Sequence, residues 1–97
     1  MIDAPRSTDR THIERVVVEI WQRELSAPAI TLASDFFAVG GDSLRKLNML
    51  FRIKATFGVE VPPGALFDNS TAGAFALVVE LATEREFQNG DTVSGRV

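Results

Sequence analysis

The first pattern along the chain is an apolar stripe between residues 8 and 25. Apolar residues recur there at positions i, i+3, i+4, i+7 and i+8, namely Ile13, Val16, Val17, Ile20 and Trp21. The other faces carry mainly charged and polar residues, as is typical of a helix with one buried face. The pattern predicts a helix from about Thr8 to Leu25, with Trp21 as a core residue.

A second helix is predicted from Ser43 to Phe57, because its spacing is helical and Gly58, a usual residue just past a helix, follows it. The side chains expected on its buried side are Leu47, Leu50, Phe51 and Phe57.

Two shorter patterns follow toward the carboxyl end. Residues 64–67, directly after Pro62-Pro63, suit a single short helical turn. Ser70 or Thr71 is expected to cap a last helix that ends near Phe87. The apolar stripe expected on that helix is Phe75, Val78, Val79 and Ala82, with Leu77 and Leu81 beside it.

Residues 26–42 form a long connection, and long loops in a compact domain are often functional. Pro28 favours an end of the first helix just before it. Ser34 or Asp35 could cap a short turn within the connection. The apolar residues expected to anchor it to the core are Ile30, Leu32, Phe36 and Phe37.

Together these segments predict an all-α bundle of three main helices and one short helix. The 97 residues, 45% of them hydrophobic, suffice for one domain with one core. We expect a disordered lead at residues 1–7, a folded domain at residues 8–87 and a flexible tail at residues 88–97.

Charge and composition exclude several classes of function. The net charge of -3 argues against a nucleic-acid-binding protein, which would carry a basic excess. The longest nearly uncharged apolar run has eight residues, Ala72 to Val79, whereas a membrane helix needs about 20. The absence of cysteine excludes disulfides, thiolate metal sites and thiol chemistry of the chain's own. The amino end has no signal-peptide pattern, so we expect a cytoplasmic protein. We also expect no metal site and no membrane partner.

The candidate chemistry lies at Ser43, which Gly40, Gly41 and Asp42 directly precede. As a hydrolase nucleophile, Ser43 would need a base, and His12 is the single histidine of the chain. Residues 41–44 spell the letters that name the GDSL esterases, and residues 9–12 supply a D-x-x-H motif like theirs. That family, however, places the motif after its serine in a much longer α/β chain, so a serine hydrolase is only a remote alternative.

Two other interpretations of Ser43 are open. As a helix cap, its oxygen would accept a hydrogen bond from a free backbone N–H, although this does not explain the glycine pair. As an attachment point, its hydroxyl would be open to an incoming enzyme, because Gly40 and Gly41 let another surface approach the backbone. A phosphodiester formed there would lie where the N–H groups and the helix dipole favour an anion.

Residues 35–44, DFFAVGGDSL, closely resemble the signature of peptidyl carrier proteins, the thiolation domains of nonribosomal peptide synthetases. Residues 20–25, 57–62 and 66–71 are also similar to segments of that family, and the similarity spans roughly residues 13–82.

The resemblance implies a non-catalytic four-helix bundle of acyl-carrier-protein type. A phosphopantetheinyl transferase would move 4'-phosphopantetheine from coenzyme A to Ser43. An adenylation enzyme would then load an amino or aryl acid as a thioester, for delivery to condensation or tailoring enzymes. Gly40, Gly41 and Asp42 would belong to the cofactor site, with Asp42 contributing to recognition by the transferase and its metal ion. Leu44 would be either an apolar contact for partners or a core residue.

Arg45 and Lys46 depart from the family pattern, which usually has apolar or small residues there. The helix dipole disfavours cations in a first turn. We hypothesise that both cations bind acidic patches on dedicated partners and offset the charge of the phosphodiester; an ordinary solvated face is the alternative. We expect a freestanding, monomeric carrier, with an excised domain of a larger synthetase still open. The other functional alternative is a carrier-like docking module that is never modified.

Overall fold

The protein is described from a computed structural model, which covers the backbone of residues 9–96 and the side chains of residues 9–85. The helices in that range are α1 (Arg10–Leu25), α2 (Ser43–Phe57), α3 (Ala65–Asp68) and α4 (Ala72–Arg96). The predicted all-α architecture of three main helices and one short helix is therefore confirmed. The predicted lead at residues 1–7 lies outside the described residues.

The helix ends follow local chemistry closely for α1 and α2. Ser26 closes α1 in the left-handed conformation, with φ 51°. Gly58 closes α2 with φ 74°, and its N–H donates to the Lys54 carbonyl at 2.8 Å. Left-handed backbone at a helix end favours glycine, which has no Cβ to clash. The predicted glycine end of α2 is thus confirmed.

Helix α4 runs to Arg96, beyond its predicted end near Phe87. No proline interrupts residues 72–96, and a glycine inside a helix costs only about 1 kcal/mol relative to alanine. Gly90 and Gly95 therefore do not stop the backbone pattern. The predicted flexibility of residues 88–97 stays a prediction.

The core lies where α1, α2 and α4 meet. Trp21 is fully buried, as predicted, and packs against Phe36 with ring centroids 5.0 Å apart and against Phe75 at 6.0 Å. At the other end of α1, Arg10 Nε and Glu80 Oε1 are 2.9 Å apart and join α1 to α4. The other large side chains that are fully buried are Ile13, Met49, Ile53, Leu66, Val17 and Val79.

The predicted buried side of α2 is wrong for two residues. Leu47 is 57% exposed and Phe51 is 76% exposed, whereas Met49 and Ile53 are fully buried. Apolar residues of α2 form two stripes on opposite sides of the helix, and one helix can bury only one of them against the bundle. Packing against α1 selects the stripe of Met49 and Ile53, with Leu50 and Phe57 half-buried beside it.

The connection between α1 and α2 is tied to the start of α4 by backbone hydrogen bonds. The Phe36 N–H donates to the Ser70 carbonyl at 2.7 Å, and the Ala72 N–H donates to the Ser34 carbonyl at 3.0 Å. Of the predicted apolar anchors, Ile30 and Phe36 are buried, whereas Leu32 and Phe37 are exposed. The second pair was therefore assigned wrongly. Both lie in the turns of this connection, where Phe37 packs on the outer side of Phe36 and against Phe67 rather than entering the core.

Asp35 is the residue that caps the turn in this connection. Its Oδ2 accepts hydrogen bonds from the backbone N–H groups of Phe37 at 3.1 Å and Ala38 at 2.9 Å. A hydrogen bond from the Ser70 hydroxyl, followed by the one from Ala38, lowers the pKa of the Asp35 carboxyl from its ordinary value. The carboxylate thus holds together the segment that leads to residues 40–43.

Among the described residues, no helix combines the length and the apolar character that crossing a bilayer requires. A cytoplasmic location stays a prediction from the sequence.

Candidate functional site

Ser43 is the first residue of α2 and is exposed. The cap of the helix is Asp42, whose Oδ1 accepts a hydrogen bond from the Arg45 N–H at 2.8 Å. The interpretation of Ser43 as the cap is therefore wrong, because the neighbouring carboxylate already fills that role. Within residues 9–85 the Ser43 hydroxyl has no hydrogen-bond partner, so it is left facing solvent.

The two glycines before Asp42 serve different purposes. Gly40 has φ 110°, a backbone conformation that residues with a side chain rarely adopt, and the space around it is open. A Cβ on Gly41 would overlap the ring of Phe36 and lie 2.6 Å from the Phe36 carbonyl oxygen. Gly41 therefore lets the loop pack closely on Phe36. Of the two glycines, only Gly40 has the open space that was predicted for an approaching surface.

The start of α2 offers donors for an anion. Lys46 N–H donates to the Asp42 carbonyl, and Arg45 N–H donates to the Asp42 side chain. In the described part of the chain, the N–H groups of Ser43 and Leu44 have no acceptor. The first turn contains no acidic residue. Free N–H groups and the helix dipole stabilise negative charge at such a point, so a phosphodiester on the Ser43 oxygen fits these surroundings.

The two cations of the first turn contact other parts of the molecule. A terminal guanidinium nitrogen of Arg45 lies 3.5 Å from Asp42 Oδ2, and Arg45 Nε donates to the Glu24 carbonyl at 3.3 Å. Lys46 Nζ lies 4.5 Å from the centre of the Phe67 ring. Both side chains therefore already have contacts within the protein. That they bind acidic partners stays a prediction.

Leu44 is 67% exposed, so its interpretation as a core residue is wrong. Leu47 and Phe51 continue from it along the same side of α2, and these three side chains are called here the outer α2 surface. The sequence reasoning missed Leu47 and Phe51 as surface residues, although their i, i+3, i+7 spacing from Leu44 marks a second stripe. An exposed apolar stripe of this kind is typical of an interaction surface.

His12 lies near the start of α1, whereas Ser43, at the start of α2, lies near the other end of α1. Arg45, two residues after Ser43, contacts the Glu24 carbonyl near the end of α1, whereas His12 is the third residue of that helix. The twelve steps from His12 to Glu24 rise about 18 Å along the helix axis. His12 cannot act as a base for Ser43 over that distance, so the hydrolase interpretation is wrong. In the described part of the chain, no group of three or more His, Asp or Glu side chains could hold a metal ion.

Comparisons with known proteins converge on one family. Residues 15–79 match the family model described as "Phosphopantetheine attachment site". Tyrocidine synthase 3 of Brevibacillus parabrevis is 35% identical over 75 residues, which cover 77% of this chain but 1% of that protein. The chain is thus similar to a small part of a much longer relative.

Two solved structures share the fold. BlmI, a type-II acyl carrier protein from Streptomyces verticillus involved in bleomycin biosynthesis, matches with a TM-score of 0.72 and 26% identity over 80% of this chain and 96% of its own. A chain in the complex of the phosphopantetheine transferase Sfp with coenzyme A and a peptidyl carrier protein matches with a TM-score of 0.67 and 26% identity, covering 81% and 96% of the two chains.

Proposed function

The chain belongs to the phosphopantetheine-attachment family of carrier proteins, and from this premise we propose that Ser43 carries the 4'-phosphopantetheine arm. The resemblance to peptidyl carrier proteins is confirmed, and with it a non-catalytic carrier role of the kind found in nonribosomal peptide and polyketide synthesis. Members of the family bear the arm on a serine, so the remaining question is which serine it is.

The observation that carries the proposal is the state of the four serine hydroxyls within residues 15–79. Ser34 and Ser70 are half-buried; Ser34 accepts a hydrogen bond from a backbone N–H of its own turn, and Ser70 donates one to Asp35. Ser26 is exposed but follows the carboxyl end of α1, where the helix dipole disfavours an anion. Ser43 alone among them joins an exposed hydroxyl to the amino end of a helix.

Asp42 has two functions in this proposal. One carboxylate oxygen caps α2 and thereby fixes the direction in which Ser43 leaves the loop. The other oxygen lies 3.5 Å from the Arg45 guanidinium, and because the side chain remains 59% exposed it is still open to the transferase and its metal ion. Gly40, two residues before Asp42, leaves open space through which the transferase can approach.

The cargo of the carrier is proposed to be an aminoacyl or aryl-acyl group. Because the chain has no cysteine, the arm supplies the thiol for the thioester once it is attached. An adenylation enzyme would load that thiol, and condensation or tailoring enzymes would receive the acyl group in nonribosomal peptide or hybrid natural-product biosynthesis. Tethering raises the effective concentration of the intermediate at each enzyme without tight binding.

The surface offered to these enzymes is the outer α2 surface together with Arg45 and Lys46. It begins one residue after Ser43, so an enzyme bound there would lie beside the arm. We also predict, from the sequence, that the protein is a monomeric, freestanding carrier that acts in trans.

The test is modification by a broad-specificity phosphopantetheinyl transferase with coenzyme A, followed by intact mass. We expect a gain of one phosphopantetheinyl group, its loss in Ser43→Ala, and its retention in Ser26→Ala, the matched exposed serine. A folded protein that gains no mass would contradict the proposal and favour the unmodified docking module. A gain that persists in Ser43→Ala would place the arm elsewhere.

A further inference from the structure

Lys46 contacts α3 through an aromatic ring. Its Nζ lies 4.5 Å from the centre of the Phe67 ring, which is 63% exposed. Phe67 in turn stacks on Phe37, with ring centroids 5.4 Å apart and planes only 6° from parallel. Within residues 9–85 no carboxylate pairs with Lys46. This cation is therefore held by a ring face alone, near the start of α2.

Helix geometry directs Lys46 toward Ser43. Helical side chains lean toward the amino end, so each covers the turn before its own Cα. Arg45 shows this directly, because its guanidinium reaches back to Asp42, three residues earlier. The residue three before Lys46 is Ser43, and residues three apart on a helix have Cβ atoms about 5–6 Å apart. An anion on the Ser43 oxygen is thus within reach of the Lys46 ammonium without a change of backbone.

An anion at Ser43 would compete well with the Phe67 ring. A cation over an exposed ring is held weakly, whereas a hydrogen bond between an ammonium and a phosphate oxygen is charge-assisted. The unmodified first turn places Lys46 against the unfavourable end of the helix dipole, and an added negative charge relieves this. Arg45 is less available, since Asp42 and the Glu24 carbonyl already bind its guanidinium.

We propose that Lys46 responds to the modification state of Ser43: its ammonium rests on Phe67 in the unmodified protein and moves to the phosphodiester when the arm is attached. This inference rests on the proposed function of Ser43. The movement uncovers one face of Phe67 close to the arm. An enzyme that contacts this ring can therefore distinguish the modified carrier from the unmodified one.

The test uses the position of Lys46 in NMR spectra of the full chain. Lys46 and Lys54 are the only lysines, so selective labelling of lysine side chains gives two ε-methylene signals. Protons above an aromatic ring are shifted upfield, and Lys54 serves as the internal reference because it pairs with Glu60. We expect an upfield Lys46 signal in the unmodified protein that moves to the ordinary lysine position after modification. In Phe67→Leu the signal should be ordinary in both forms.

A Lys46 signal that keeps its upfield shift in fully modified protein would overturn the inference while leaving the attachment site intact. A missing mass gain would instead defeat the attachment site. For that case Ser43→Glu places a carboxylate three residues before Lys46 without any transferase, and Ser43→Gln is its neutral match. We expect the upfield shift to shrink in Ser43→Glu only, and identical lysine spectra of the two variants would contradict the competition.

Discussion

Helices α2 and α4 use their apolar residues differently. Helix α4 buries Phe75, Ala76 and Val79 completely and leaves Leu77 and Leu81, on its opposite side, 40% and 49% exposed. Helix α2 buries Met49 and Ile53 but exposes Leu44, Leu47 and Phe51 along its opposite side. Helix α4 thus uses most of its apolar side chains in the core. Helix α2 instead leaves the three apolar side chains of its outer surface 57–76% exposed, and this surface begins beside Ser43.

The largest expected effect is the difference in unfolding free energy between two phenylalanine-to-alanine variants, one on each helix. Phe75→Ala should cost about 3–5 kcal/mol of unfolding free energy, because the ring is fully buried against Trp21. Phe51→Ala should change it by less than about 0.5 kcal/mol, because the ring is 76% exposed. Urea unfolding of both variants measures the difference. Equal destabilisation would show that the outer α2 surface is covered in solution.

A smaller effect is expected from the two cations in the first turn of α2. Reversal of Arg45 and Lys46 together to Glu should slow loading by the native adenylation enzyme roughly three- to tenfold at low salt, because exposed charges mainly steer association. High salt should remove most of the difference. The matched control is Arg15→Glu, an exposed reversal on α1. Unchanged loading at low salt, with the fold intact, would refute the proposed partner contact.

The smallest effect concerns the connection between α1 and α2, which hydrogen bonds tie to the start of α4. The pKa of Asp35 is lowered, first by the Ser70 hydroxyl and then by the Ala38 N–H, so its ionised form stabilises the folded state. That contribution is present above the ordinary pKa of aspartate, about 3.9, and is lost as the pH falls through the lower folded value. Melting temperatures from pH 7 to pH 3 should therefore converge for wild type and Asp35→Asn, with Ser70→Ala in between. A gap that stays constant with pH would contradict this account.

Local signals predicted much of the fold. The bounds of α2, Ser43 and Phe57, were predicted correctly because a capping segment and Gly58 lie next to them in the chain. The core position of Trp21 followed from helical spacing on α1 alone. The short α3 was predicted one residue early, since its single turn has no strong stop signal.

The candidate site was predictable for a similar reason. The signature at residues 35–44 is a continuous stretch of sequence, so its match to the family needed no knowledge of distant contacts. The roles within the site were less predictable. Asp42 rather than Ser43 caps α2, and Gly41 is required by the ring of Phe36, because both outcomes depend on how the loop folds back on itself.

The sequence by itself determined the number and order of the helices, the family and the serine proposed for attachment, since each depends on residues close together in the chain. The tertiary structure alone decided which stripe of α2 enters the core and which faces solvent. It also decided that Arg45 meets α1 and Lys46 meets Phe67. These outcomes depend on contacts between segments distant in sequence, and helical periodicity carries no information about which neighbour a stripe will meet.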